Sequence, residues 1–268
     1  GVLRALAEKF SLALERDKWS LAETLHQTKI WTTRVAPLPG RVAVFQVDSM
    51  RFEMGADLAG QLSEAKDLKV EAAISVLPSI TPLGMAALLP GAAESYSVVE
   101  SKGKAGALVD GQFLSDAKAR MDHLKARVPE AADITLERLL QESPSKVQQK
   151  LGNARIVVVR SQEIDALGEK NELLARNVMD TAIGNLARAV RRLAAFGFER
   201  FVLTADHGHQ FSARKEEDMK LHAPSGGTLE LHRRCWIGKG GNAPAGTLSL
   251  KAPELGYDSN LEFIFPRG

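Results

Sequence analysis

Apolar residues along this chain gather into four short runs, and each run closes on a side chain able to bind a metal or attack an electrophile. RVAVFQV leads into Asp48, and VEAAISVLP into Ser79 and Thr81. ARIVVVRSQ leads into Asp165 and Glu169, and RFVLTA into Asp206 and His207. These runs predict strands at 42–47, 70–77, 154–160 and 200–205, the first with the continuous apolar character of a strand buried on both faces. Between the last two, Leu174, Val178, Ala182, Leu186, Val190 and Leu193 form one apolar stripe at helical spacing. Gly197 follows as a left-handed cap. Strand–helix–strand alternation of this kind predicts an α/β fold with a mostly parallel sheet, right-handed crossovers and helices on both faces. Ligands of such sheets bind beyond the carboxyl ends of the strands, so four loaded ends point to one hard-metal catalytic site.

The remaining segments have other patterns. Residues 1–40 read as a helical lead-in, with Leu3, Leu6, Phe10 and Leu14 at helical spacing and Pro37, Pro39 and Gly40 before the first strand. The core is expected over 41–268. A short helix from Pro82 to Leu89 stops at Pro90 and Gly91. Residues 92–153 carry polar helical patterns, among them SDAKARMDHLKARV and DITLERLLQ, and read as a helical cap inserted between core strands. Such a cap either covers the site and chooses the substrate or is an inert decoration. Beyond residue 227 the pattern changes to short strands: TLELHRRCWIG, GTLSLK and LEFIF.

Composition narrows the setting. With 44% hydrophobic and 25% charged residues, the chain can bury a sizeable core. A net charge of +2 lacks the strong basic field of a dedicated nucleic-acid binder. The single cysteine, Cys235, excludes an internal disulfide framework and fits a reducing compartment. The most apolar stretch, 72–93, is interrupted by Pro78, Pro82 and Pro90, so no membrane partner is expected. Without a visible signal peptide, the expectation is a soluble, cytoplasmic domain. The initial Gly in place of Met suggests an excised or processed fragment.

Each candidate side chain has a chemical and a structural reading. Pro82 prefers the first helical position, which puts Thr81 at the N-cap, beside free N–H groups and the positive helix end. Thr81 is then a plain cap or, with metal ligands nearby, an activated nucleophile. Asp48 can bridge metals or close an Asx turn. Arg51 can fork onto a phosphate or pair with Glu53 or Asp57. Asp206 and His207 can both reach one metal if the chain turns at Gly208, and zinc and manganese both accept that mixed ligation. Asp165 and Glu169 share a face if a helix starts there, and hold a second metal or stabilise the helix dipole. Two ions about 4 Å apart would stabilise the attacking and leaving oxygens of phosphoryl transfer.

The order DSMRFEMG, LPSITPLGMAALLPG, SQEIDALGEK and LTADHGH resembles the PglZ domain of the alkaline phosphatase superfamily, over about Arg41 to Arg267. The resemblance implies an alkaline-phosphatase-like fold. It also implies a metal-dependent phosphodiesterase or nuclease of bacteriophage exclusion (BREX) defence systems, with two divalent ions, zinc or manganese. On it, Thr81 is the nucleophile and Asp48, Thr81, Asp165, Glu169, Asp206 and His207 are the ligands; Arg51 on the substrate is a reading from its own position, not from the resemblance. Expected partners are a nucleic-acid or oligonucleotide phosphodiester and other defence proteins such as the PglX methyltransferase. Glu169 stands where many superfamily members have His, which favours a harder ion such as manganese. The superfamily's late histidine ligand lies in a His-Gly-Gly stretch that the chain, ending at FIFPRG, does not reach; His232 is either the in-chain substitute or, beside Arg233 and Arg234, part of a surface or phosphate-facing strand. The alternative is a catalytically weak scaffold that docks partners in a defence complex.

Overall fold

In the computed structural model, which describes residues 2–19, 21, 23–165, 172–209 and 221–267, three of the four expected runs lie side by side in one sheet. The chain begins with α1 (Val2–Arg16), β1 (Leu25–His26), a π-helical turn at Trp31–Val35, β2 (Val42–Val47), α2 (Phe52–Gln61), β3 (Ala73–Ile74) and α3 (Thr81–Ala87). It continues through α4 (Ala92–Ser95), β4 (Ser97–Ser101), β5 (Lys104–Val109), β6 (Gln112–Leu114), α5 (Ala117–Arg127), β7 (Ala131–Thr135), α6 (Leu136–Gln141) and α7 (Pro144–Leu151). Then follow β8 (Ile156–Ser161), α8 (Glu172–Ala195), β9 (Arg200–Ala205), β10 (Ser225–His232), β11 (Cys235–Asn242), β12 (Thr247–Lys251) and β13 (Glu262–Pro266). These elements form two units, one of Leu25–Ala93 with Asp116–Phe211 and one of Gly1–Thr24, Glu94–Ser115 and Ser212–Gly268.

The first unit is built on a parallel sheet of order β7–β8–β2–β9. Ala43, Phe45 and Val47 of β2 face a core with Met54 of α2, Leu139 of α6, Val147 of α7 and Leu186 of α8. The alternate residues Val42 and Val44, with Ile156 and Val158 of β8, are equally buried, so the two central strands are covered on both faces. The stripe expected on the long helix is buried at Ala182, Leu186, Val190 and Leu193, and Gly197 ends it at φ 83°.

Two expectations change. The run at 70–77 is not a core strand: only Ala73 and Ile74 pair, in parallel with β1. Residues 70–73 are exposed, and Glu71 is held on both oxygens by Arg34 at 2.8 Å. The fourth core strand is instead β7, from within 92–153. It is short, and its Asp133 is paired with Arg160 of β8 at 3.1 Å and Lys125 at 3.4 Å, which an edge strand tolerates. The stretch 92–153 is therefore not a wholly helical cap; it also holds the β4–β5–β6 meander, which belongs to the other unit. Its hairpins turn on Lys102-Gly103 and Asp110-Gly111, all four at positive φ, the conformation of tight two-residue turns.

The second unit also holds the antiparallel sheet β10–β11–β13–β12. Its core includes Trp236, whose ring occupies the space a side chain would need at Gly238 and Gly241, and Tyr257 set edge-on between Tyr96 and Phe263. Cys235 is a free, buried thiol. Among the described residues no helix is long and apolar enough to cross a membrane.

Candidate metal centre

The register of the parallel sheet creates the site. Val47 pairs with both Ser161 and Ala205, so the residues that follow emerge together at the carboxyl edge. Asp48 and Asp206 are thereby neighbours, 3% and 0% exposed. Ser49 adopts φ 66°, a left-handed conformation that costs a non-glycine residue about 1–3 kcal/mol. That turn aims its N–H at Asp206 Oδ1, 2.9 Å away, and the His207 N–H donates to the same oxygen at 2.8 Å. Asp206 Oδ2 is buried and accepts no hydrogen bond among the described residues.

The imidazole completes the group. His207 Nδ1 is 3.0 Å from the Gly208 carbonyl, which can only accept, so Nδ1 carries a proton and Nε2 is the nitrogen left to face the carboxylates. Nε2 lies 3.4 Å from Asp206 Oδ2 and 3.7 Å from Asp48 Oδ1. Asp48, Asp206 and His207 each offer one ligand atom, all within 4.8 Å of one another. Lone pairs so close repel unless a cation or a proton lies between them. The proton alternative is visible in the electrostatics. Burial first, then the charges of Asp206 and Asp165, push the Asp48 carboxyl up to about 7, and burial also raises Asp206. A bare buried oxygen, an oriented imidazole and two strained carboxyls fit a divalent ion.

Thr81 closes the site from α3. The helix starts at Thr81, with Ile80 in the N-cap position, so the threonine is one residue further into the helix than its sequence suggests. Its hydroxyl donates to Asp48 Oδ1 at 3.3 Å and lies 3.1 Å from His207 Nε2. The helix reaches this close because residue 84 is glycine. A Cβ there would stand 2.5 Å from the Asp206 carbonyl oxygen.

The other expected residues divide. Asp165 is half-buried, in the helical turn 163–165, near enough for its charge to raise Asp48. Glu169 lies outside the described residues. Arg51 sits at the N-cap of α2 with Nε 3.0 Å from Glu53, the ion pair that was one of its two readings. His209 donates from Nδ1 to the Ser49 carbonyl at 2.7 Å and so buttresses the turn that carries Asp48. His232 belongs to the other unit, where its Nε2 meets Glu230 at 2.9 Å. Ser49 and Gly84 escaped the sequence reading, although a glycine inside the apolar TPLGMAALL helix costs about 1 kcal/mol against alanine and so invites a packing explanation.

A parallel α/β sheet with two buried carboxylates, an imidazole and a hydroxyl at its carboxyl edge defines a protein with a candidate metal centre. The chain belongs to the family described as the BREX system PglZ alkaline phosphatase-like domain, whose model matches residues 32–268. It is similar to the alkaline phosphatase-like protein BrxZ of Escherichia coli O9:H4 (strain HS), 29% identical over 242 residues, covering 85% of this chain and 27% of the relative. It is also similar to the alkaline phosphatase-like protein PglZ of Bacillus cereus (strain H3081.97), 25% identical over 276 residues, covering 98% and 32%. The chain thus spans about a third or less of the length of these relatives.

Proposed function

We propose that this chain carries the phosphoesterase centre of a BREX-type defence protein: a metal-dependent phosphodiesterase or nuclease with Thr81 as nucleophile. The observation that supports it most is the approach of one hydroxyl to a buried carboxylate and an oriented imidazole, 3.3 and 3.1 Å away. Asp48, Thr81, Asp206 and His207 would hold one divalent ion, and Asp165 with Glu169 a second. The donor set is mostly oxygen, which favours manganese over zinc. Bound divalent ions supply Lewis acidity, lowering the hydroxyl pKa and offsetting charge on the phosphoryl oxygens. Asp48 accepts the Thr81 proton as Oγ1 attacks phosphorus and the bond to the leaving oxygen breaks; that proton passes to the departing alkoxide, so the alcohol leaves and Asp48 is a carboxylate again. Water then attacks the phosphothreonine, freeing the phosphate ester and restoring the hydroxyl. The substrate is a nucleic-acid or oligonucleotide diester, and the partners are other BREX proteins, the PglX methyltransferase among them.

The test is hydrolysis of a bis-nitrophenyl phosphodiester with Mn²⁺ or Zn²⁺, comparing wild type, Thr81→Ala and Asp206→Ala. Metal-dependent turnover that vanishes in both variants, with a phosphoryl adduct on the Thr81 peptide, supports the reading. Full activity in Thr81→Ala removes the nucleophile. Equal background rates in all three proteins favour the weak scaffold.

A further inference from the structure

Gln27 lies ahead of residue 32, where the family match begins, yet it touches the centre of the fold. It is 2% exposed. Its Nε2 donates to the carbonyls of Ala205 at 2.9 Å and Asp206 at 2.7 Å, and its Oε1 accepts from the Val76 N–H at 3.1 Å. One planar amide thus satisfies three backbone groups on two segments: the end of β9, which presents Asp206 and His207, and the loop from β3 that leads to Thr81. The Asp206 carbonyl is caught between that amide and α3, since it is the atom a Cβ at Gly84 would strike. Gln27 is itself fixed, because β1 pairs in parallel with β3 through Leu25 with Ala73 and His26 with Ile74.

We infer that Gln27 is a positioning residue for the metal centre, setting the separation between the Asp206–His207 pair and the helix that carries Thr81. The inference rests on the proposed reading of that site. Glutamine suits the task because it offers two donors and an acceptor in one plane at this reach. Glutamate would set a carboxylate against two carbonyl oxygens. Methionine would fill the space and leave three backbone groups unpaired.

A brace that only stabilised the fold would lower the melting temperature and nothing more. The experiment therefore compares Gln27→Met and Gln27→Glu with Arg41→Met, all in the whole chain. Arg41 is an equivalent brace at the opposite end of the sheet, donating to the carbonyls of Ala154 at 3.1 Å and Phe196 at 2.6 Å. Mn²⁺ affinity is measured by calorimetry, and amide exchange over residues 46–51 and 204–209 is followed without metal. All three variants are expected to melt lower. Only the Gln27 variants should lose Mn²⁺ affinity, by roughly 10–100-fold as for other groups that orient ligands. They alone should also exchange faster at the Ser49 and His207 amides that Asp206 Oδ1 holds. Affinity and exchange indistinguishable from those of Arg41→Met would overturn the assignment. If wild type binds no Mn²⁺, the metal reading fails and the exchange comparison still decides the role of Gln27. Gln27→Asn, which can keep one arm of the brace, takes over should Gln27→Met not fold.

Discussion

Asp206 divides its two oxygens between opposite tasks. Oδ1 accepts two backbone N–H groups, from Ser49 and His207, while Oδ2 is buried and bare. Asparagine at this position keeps the acceptor and puts an uncharged amide where the bare oxygen stands. Among the neighbouring charges, Asp206 raises Asp48 the most, after burial itself. We therefore expect metal-free Asp206→Asn at pH 8 to be at least as stable as wild type, by up to about 1 kcal/mol, the scale of one unit of pKa relief. Mn²⁺ binding should be lost. Denaturant unfolding and calorimetry read the two effects, and an unstable metal-free variant would contradict the electrostatic account. The sequence was informative here because a strand end is a place: Asp48, Asp206 and His207 stand where apolar runs of the core sheet stop, whereas Thr81 follows a run that is not a core strand. It was silent on Ser49 and Gln27, whose roles lie in a backbone angle and in contacts across 178 and 179 positions of chain.

Between elements, the decisive fact is how closely α3 approaches the end of β9. Backbone cannot retreat as a flexible side chain can, so the 2.5 Å between a new Cβ at residue 84 and the Asp206 carbonyl must be relieved by moving the helix. Gly84→Ala should cost about 1–3 kcal/mol by overpacking. Because the displaced helix carries Thr81, it should also slow hydrolysis more than an equally destabilising change elsewhere. Unfolding midpoints and kcat, measured with Arg41→Met as the comparison, separate the two effects. Elements were legible where burial is two-sided. The central strands at 42–47 and 154–160 declare themselves in this way, the partly buried edge strand at 200–205 shows by its apolar run alone, and the long helix shows its stripe. The run at 70–77 misled because its apolar end serves a loop, and β7 hid because an edge strand can carry Asp133. Lys102-Gly103 and Asp110-Gly111 are turn signals for the meander within 92–153 that the reading of this stretch as a helical cap passed over.

At the scale of the molecule, the candidate metal centre lies wholly in the unit of Leu25–Ala93 and Asp116–Phe211, so ion binding should protect that unit selectively. At a hundredfold excess over Kd, a single bound ion stabilises by about 2.7 kcal/mol. For a unit of this size that is a rise of about 5–10 °C in Tm. Hydrogen exchange should slow in peptides of this unit and stay unchanged in those from β10 to β13.

The same binding should depend on pH in a direction opposite to that of the metal-free fold. Asp48 has its carboxyl raised from 3.8 to about 7 by burial and by the charges of Asp206 and Asp165. Between those values the folded chain holds a proton that the unfolded chain has released. The stability linked to that proton is fully present below the unfolded pKa and is lost as pH rises through about 7. A divalent ion needs the same carboxylate deprotonated, so below about 7 its apparent affinity should fall by about tenfold per pH unit for the one proton displaced. The Tm increment from Mn²⁺ should therefore grow from pH 5.5 to pH 7.5, while the Tm of the metal-free protein, as far as Asp48 governs it, declines over the same interval. In Asp48→Asn the proton is gone from the balance, and both slopes should flatten. Thermal scans at several pH values, with Mn²⁺ and with chelator, check the pair of opposed slopes. Parallel slopes would place the raised carboxyl outside the ion's ligand set.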